Sequence, residues 1–263
     1  MLTAALGAAD SGRDIALKAQ AVQFAFKTLK ASGEMTLTRG KESTGQRSFT
    51  VELIEATAET AHDKARVTIT GPTALKDTQL ISWSSGSGED QQWLVTPRTQ
   101  RVQRIADRGR QAAFVSSDFS YEDILKWQVD NYEYGAVSRG ACPAGTCTAV
   151  EARPKNRYSS YTVLKVYYDD TYRISKVEYF ASDAAKPRKT LELGNYVKQG
   201  NSWQPSRSVM TNHETETSTQ IVWSGYQIDT PIDERIMSPA LGIARASGTI
   251  PCGDATFAGR GVG

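Results

Sequence analysis

Thr162-Val163-Leu164-Lys165-Val166-Tyr167-Tyr168-Asp169-Asp170-Thr171-Tyr172-Arg173-Ile174-Ser175-Lys176-Val177-Glu178-Tyr179 reads as two strands joined by a tight turn. Thr162, Leu164, Val166 and Tyr168 fall on every second position, the period that puts side chains on one face of a strand. Asp169-Asp170-Thr171 has the composition and length of a hairpin turn, and Ile174, Val177 and Tyr179 mark the returning strand. Outward from this hairpin the same rhythm continues. Towards the C-terminus it runs through Leu191, Leu193 and Tyr196, then Trp203 to Met210 and Thr219 to Tyr226, with Gln199-Gly200-Asn201 as a further turn. Towards the N-terminus it runs through Tyr132 and Tyr134, and Thr148, Val150 and Ala152. Earlier still are Met35 and Leu37; Phe49, Val51 and Leu53; Val67 and Ile69; Ile81 and Trp83; Trp93 and Val95; and Val102 and Ile105.

Two stretches depart from this period. Ile15, Ala19, Val22, Phe26 and Leu29 recur at spacings of four and three, which predicts an amphipathic helix over Asp14 to Leu29, with Ser11 and Asp14 as a capping box and Gly33 beyond its end. Ala112 to Trp127 holds a second, shorter helix signal, with Ser120 and Asp123 placed to cap it ahead of Ile124, Leu125 and Trp127. A long meander with so little helix predicts a mainly β fold: one strongly curved antiparallel sheet, an unclosed barrel of about eleven strands, with helices covering a concave apolar cavity. No interdomain linker interrupts residues 10–245, which are read as one half-barrel domain. Residues 1–9 end in a small-x-small pattern, Gly7-Ala8-Ala9, and are read as a signal-peptide remnant or chain start; an apolar terminus with no such history is the alternative. The Gly- and Ala-rich residues 246–263 are read as a flexible tail.

The charge balance narrows the partners. Thirty-one basic and 29 acidic residues give a net charge of +2 and are interspersed, which is not the footprint of a nucleic-acid binder. No run approaches the roughly 20 apolar residues of a membrane-spanning helix. Arg98, Arg101, Arg104, Arg108 and Arg110 form the densest basic stretch. It suits anionic lipid or an acidic partner, or is simply a solvated hairpin edge.

Catalytic signatures are missing. There are two histidines, no G-x-S-x-G elbow, no H-E-x-x-H and no phosphate loop; Gly86-Ser87-Gly88 lacks the flanking pattern, and His213-Glu214 continues as Thr-Glu-Thr. Glu122-Asp123 and Asp169-Asp170 sit where capping and turn chemistry explain them. The expectation is a protein that is not an enzyme and uses no cofactor or metal. Cys142 and Cys147 enclose Pro143-Ala144-Gly145-Thr146, a six-residue loop that a disulfide can close in an oxidising compartment. Cys252 is left over, free or an alternative partner.

Three segments resemble the outer membrane lipoprotein-sorting family, the LolA-like proteins found beside transporters of the resistance-nodulation type. They are Asp90-Gln91-Gln92-Trp93-Leu94-Val95-Thr96-Pro97 running on to Arg101-Val102-Gln103-Arg104-Ile105; Ser116-Ser117-Asp118-Phe119-Ser120-Tyr121-Glu122-Asp123-Ile124; and Trp203-Gln204-Pro205-Ser206-Arg207. The middle one is the most specific, and with Pro239-Ala240-Leu241 the resemblance spans about Asp14 to Leu241. It implies an unclosed barrel whose mouth is filled by helices, and a periplasmic carrier of a lipid, acyl chain or lipid-modified protein, with an inner-membrane transporter as partner and only peripheral membrane contact. The expected lining of the concave cavity is Phe49, Val51, Leu53, Val67, Ile69, Trp83, Trp93 and Val95. The expected lid and rim are Val22, Phe26, Phe114, Phe119 and Tyr121. The alternative reading is an accessory or docking subunit of an envelope complex, whose cavity is filled by its own side chains.

Overall fold

The computed structural model describes residues 10–57, 62–86, 90–99, 101–181 and 185–239. Residues 1–9, the tail 246–263 with Cys252, and Ser87 and Gly88 lie outside them. One helix, α1 (Gly12–Gln23), precedes thirteen strands: β1 (Thr28–Arg39), β2 (Glu42–Ile54), β3 (Asp63–Gly71), β4 (Gln79–Ser84), β5 (Gln91–Thr96), β6 (Arg101–Ile105), β7 (Tyr132–Cys142), β8 (Gly145–Pro154), β9 (Val163–Tyr168), β10 (Ile174–Phe180), β11 (Lys189–Gln199), β12 (Ser202–Asn212) and β13 (Thr217–Ile228). All thirteen form one antiparallel sheet in the order β6-β5-β4-β3-β2-β1-β13-β12-β11-β10-β9-β8-β7. Each neighbour is the next strand in sequence, except where the first pairs with the last. That β1–β13 pairing moves the open seam of the curved sheet to the middle of the chain, between β6 and β7. The fold class is the one expected from the alternation, with thirteen strands in place of about eleven.

Helix α1 starts as the sequence indicates: Ser11 Oγ accepts from Asp14 N at 3.2 Å, and Ser11 N donates to Asp14 Oδ2 at 3.1 Å. It stops six residues before the expected end at Leu29. Leu29 belongs to two patterns at once, the last member of the 3.6-residue stripe and the first of the alternation Leu29, Ala31, Gly33, Met35, Leu37. The strand wins because β13 supplies it with partners: Leu29 pairs with Ile228, Asp229 Oδ1 accepts from Lys27 N at 2.6 Å, and Thr28 Oγ1 donates to Thr230 O at 2.7 Å. Gly33 is therefore inside β1, not beyond a helix. The second expected helix does not form either; only short 3-10 turns, Asp107–Gln111, Phe114–Ser116 and Val129–Asn131, occur between β6 and β7.

Strand register defines the two faces of the sheet. Phe49 and Val51 of β2 stand opposite Ile69 and Val67 of β3, and Val67 stands opposite Leu80 of β4, which stands opposite Leu94 of β5. On the other side of β1, the same face continues through Ile221, Met210, Leu191, Val177, Val166 and Val150. These residues join α1 in one core, so this is the concave face. Trp83 and Trp93 belong to the opposite, convex face: Trp83 pairs with Lys64, Trp93 with Ile81, and Val95 with Gln79. Their expected place in the concave lining is corrected accordingly. The reason is that β4 is buried on both faces and β5 carries a buried residue on each. After β13 the chain returns as a 3-10 turn, Glu234–Met237, whose Met237 O accepts from Trp83 Nε1 at 3.0 Å while Lys64 pairs with Glu234. Ile81, Val95, Ile236 and Met237 are buried in that second, convex-side core.

The Cys142–Cys147 disulfide is formed across the β7–β8 turn, with Cα atoms 6.0 Å apart. Gly145 takes a φ of +107°, a conformation open to glycine at little cost.

Candidate functional site

The concave face needs a cover, and the chain supplies it at the seam. Residues 106–131 leave the edge strand β6 and must reach β7, the other edge, so they cross the concave face as a strap. The strap folds back on itself as a small hairpin: Phe114 N donates to Phe119 O at 2.8 Å and Tyr121 N to Ala112 O at 3.1 Å. Val115 and Ser116 at its tip have φ of +45° and +65°, a sparsely populated region for a β-branched residue. Phe114 and Phe119 are buried against the sheet, and Val115, Tyr121, Ile124 and Trp127 pack onto the same core.

Polar side chains pin this strap at three places. At the centre, Asp118 accepts from Thr217 Oγ1 and from Thr219 Oγ1 (2.7 Å) on β13, while its own N donates to Thr219 Oγ1 at 3.0 Å. On the β9–β11 side, Glu122 accepts from Ser159 Oγ and from Ser160 N and Oγ at 3.0 and 2.7 Å. Next to it, Asp123 accepts from Ser120 N at 2.7 Å, Tyr161 Oη at 2.8 Å and Lys189 Nζ at 3.1 Å. The Asp123 side chain is only 1% exposed, so this is a buried ion pair completed by hydrogen bonds. Burial, with the Asp123 charge beside it, pushes the Tyr161 phenol far up and keeps it a donor. On the β2–β5 side, Gln92 Nε2 donates to Tyr121 O at 2.9 Å, and Arg110 donates to Asp90 O. Further along, Lys126 sits between Glu55 and Asp63, with Gln128 donating to the same Asp63 oxygen. Burial raises the Glu55 carboxyl to about 7; Lys126 opposes the shift, and Asp63 adds to it.

Ser120 and Asp123 thus make the reciprocal bonds of a capping box without a helix behind them, because the backbone of Tyr121 and Glu122 is committed to Ala112 and Arg110. Helix α1 covers the β7–β8 end. Ile15, Ala16 and Ala19 are buried, and a Cβ on Gly12 would lie 2.7 Å from Val150, so only glycine allows that approach. Its last turn is held by Ser202 Oγ and Gln204 Nε2, which donate to Gln23 O at 2.5 and 2.6 Å.

Between the strap and the β7–β10 side opens a cleft of about 520 Å³, within the roughly 300–1,000 Å³ range of ligand pockets. Trp127, Tyr132, Tyr161, Leu164 and Tyr179 line its inner side, and Asp90, Arg110, Lys155 and Arg157 are among its charged lining. Trp127 stacks on Tyr132 with ring centroids 3.9 Å apart. The buried Arg110 keeps an Nε without a partner among the described residues.

The site residues expected from the sequence are distributed unevenly over this geometry. Phe49, Val51, Val67 and Ile69 are buried on the concave face beneath the strap, and Leu53 is half-buried beside them. Phe114, Phe119 and Tyr121 are on the strap, and Val22 is half-buried near the end of α1. Phe26 lies past the helix, in a separate cluster with Leu29 and Ala31 that also touches Leu53 and Trp223, so it is not part of a helical lid. Sequence reasoning missed the polar anchors Asp118, Glu122, Asp123, Lys126 and Lys189. The signal for the three acidic anchors was the dense run of acidic and hydroxyl residues over Ser116 to Asp123, which helix capping explained too readily.

The sequence matches none of the curated proteins with which it was compared. The fold has solved relatives. One, named for outer membrane lipoprotein sorting, from Vibrio parahaemolyticus, aligns with a TM-score of 0.82 at 27% identity over 88% of this chain and 98% of its own. A DUF1329 family protein from Desulfovibrio piger aligns with a TM-score of 0.79 at 21% identity over 86% of this chain and 95% of its own. A LolA superfamily protein from Nitrosomonas europaea aligns with a TM-score of 0.69 at 13% identity over 88% and 98%; the likeness of these last two is one of fold. A family model described as that of an uncharacterized protein matches residues 61–240. With that match over more than half of the chain, the chain belongs to the family that this model describes, and it shares the fold of the lipoprotein-sorting, DUF1329 and LolA superfamily structures.

Proposed function

We propose that the protein is a periplasmic carrier that holds a lipid, an acyl chain or a lipid-modified protein between its concave sheet and the strap, and passes it towards the outer membrane with a resistance-nodulation type transporter. The observation that carries this reading is the concave face itself. An apolar surface continuous across the sheet is covered by one helix and by a strap without regular structure, so a cargo chain gains access by displacing the strap rather than by breaking the sheet. Burial of about 0.8 kcal/mol per CH2 supplies the driving force. The 27% identical relative named for lipoprotein sorting supports the same cargo class. The Cys142–Cys147 disulfide fits an oxidising, extracytoplasmic compartment, and no described helix is long and apolar enough to cross a membrane. The reading requires no catalytic step.

A second reading has an observation of its own. The strap is pinned by the buried pair Asp123–Lys189 and by Lys126 between Glu55 and Asp63, which is how a permanently filled core is held in an accessory or docking subunit. Mass spectrometry of organic extracts from the natively purified protein separates the two. A carrier yields a stoichiometric lipid and, once stripped, binds a fluorescent long-chain acyl probe that native extract displaces. Clean extracts together with a flat probe titration at micromolar protein would leave the docking subunit as the function.

A further inference from the structure

We propose that the β5–β6 edge is a docking surface for an anionic lipid bilayer, placing the seam against the membrane. The chain is nearly neutral overall, with a net charge of +2. Yet residues 98–110 hold Arg98, Arg101, Arg104, Arg108 and Arg110 against one acid, Asp107, and Asp107 is paired with Arg110. The other four arginines are exposed. Among the described residues none of these four forms an ion pair, and Arg98 makes only a long contact, 3.5 Å, to Ala74 O. β6 is an edge strand, and Arg101, Val102, Gln103 and Arg104 are all exposed although they point alternately to its two faces, so among the described residues both of its faces are open there.

Across the seam the basic band continues, because Arg108 and Arg157 both stack on Tyr158, at 5.4 and 4.7 Å from its ring centre. Uncompensated charge on both faces of a protruding edge, with Val102 37% exposed among the arginines, suits a broad anionic surface that accepts cations in any register. A peptide strand would be read through side chains on one face, whereas the exposed arginines of this edge lie on both faces. The inference does not depend on the identity of the cargo.

The experiment is vesicle flotation of the full chain with phosphatidylcholine vesicles containing phosphatidylglycerol, and with phosphatidylcholine alone. The expected result is binding to the anionic vesicles only, weakening as salt shortens the screening length. Each basic residue near an anionic leaflet strengthens binding about fivefold, so the variant R98Q/R101Q/R104Q should bind on the order of a hundredfold more weakly. It should also melt with the parent, since all three side chains are exposed. R39Q/K41Q/K198Q removes the same charge from exposed positions at strand ends and a turn elsewhere and should bind as the parent does. Equal binding to both vesicles, or an equal loss in the control variant, would overturn the proposal. So would capture of a polyglutamate peptide without vesicle binding, which would replace the bilayer with an acidic protein partner.

Discussion

At the scale of single residues, Gly33 shows how packing reverses a local rule. A glycine in a strand interior is a weak choice, and alanine in its place is ordinarily favourable. Here the Phe49 ring lies across Gly33 and meets Trp223 edge-on, with ring centroids 5.4 Å apart, while Trp223 Nε1 donates to Ser208 Oγ at 2.9 Å. A Cβ at Gly33 would overlap the Phe49 ring, and Trp223 blocks its simplest retreat. Gly33→Ala is therefore expected to destabilise the fold by about 1–3 kcal/mol, the usual cost of overpacking a filled core. Urea denaturation measures it, and a stability equal to or above that of the parent would mean that the ring moves aside freely.

At the scale of the element, the strap is a piece of irregular chain held to the sheet by side-chain hydrogen bonds and ion pairs. Lys189→Met tests that. It leaves the Asp123 carboxylate buried with only Ser120 and Tyr161 as partners, and losing one member of a buried pair typically costs about 3–5 kcal/mol. The loss should appear first in the strap: amides between 112 and 127 should exchange faster, while those of β1, β2 and β13 keep their protection. Uniform acceleration across the sheet would show instead that strap and sheet open as one unit. The same element explains why Ser120-x-x-Asp123 was misleading in the sequence. The reciprocal bonds of a capping box form with or without a helix after them, and the conformation of the next residues is decided by where their backbone groups find partners.

At the scale of the whole molecule, the curved sheet closes its hydrogen bonding everywhere except at the seam, so its pH response should be concentrated where the strap crosses. Burial raises the Glu55 carboxyl from 4.5 to about 7. A raised carboxyl means that the folded state holds the proton more tightly than the unfolded chain does. The stabilisation from this group is complete below about 4.5 and is lost as pH rises through about 7. Thermal unfolding of the parent and of Glu55→Gln between about pH 5 and pH 8 should therefore differ in slope. The variant, neutral throughout, should lose less stability on the alkaline side. Parallel curves would place the Glu55 carboxyl at its ordinary value.

What the sequence determined by itself was the alternation. Side-chain period in a strand follows from backbone geometry alone, so the hairpin at Thr162 to Tyr179, the curved β class and nearly every strand were legible residue by residue. So was the local closure of Cys142 with Cys147, five positions apart and needing nothing from elsewhere. Tertiary structure decided whatever depended on a partner distant in the chain. β13 claimed Leu29 from the helix stripe. The returning 3-10 turn at Ile236 and Met237 made the convex side of β4 and β5 as dry as the concave side, and this put Trp83, Trp93 and Val95 on the face opposite to the one their hydrophobicity suggested. Pairing of the first strand with the last fixed where the sheet stays open, and so turned residues 106–131 into the strap. An alternating pattern states that a strand has an apolar face; only the element packed against it determines which face lies inside.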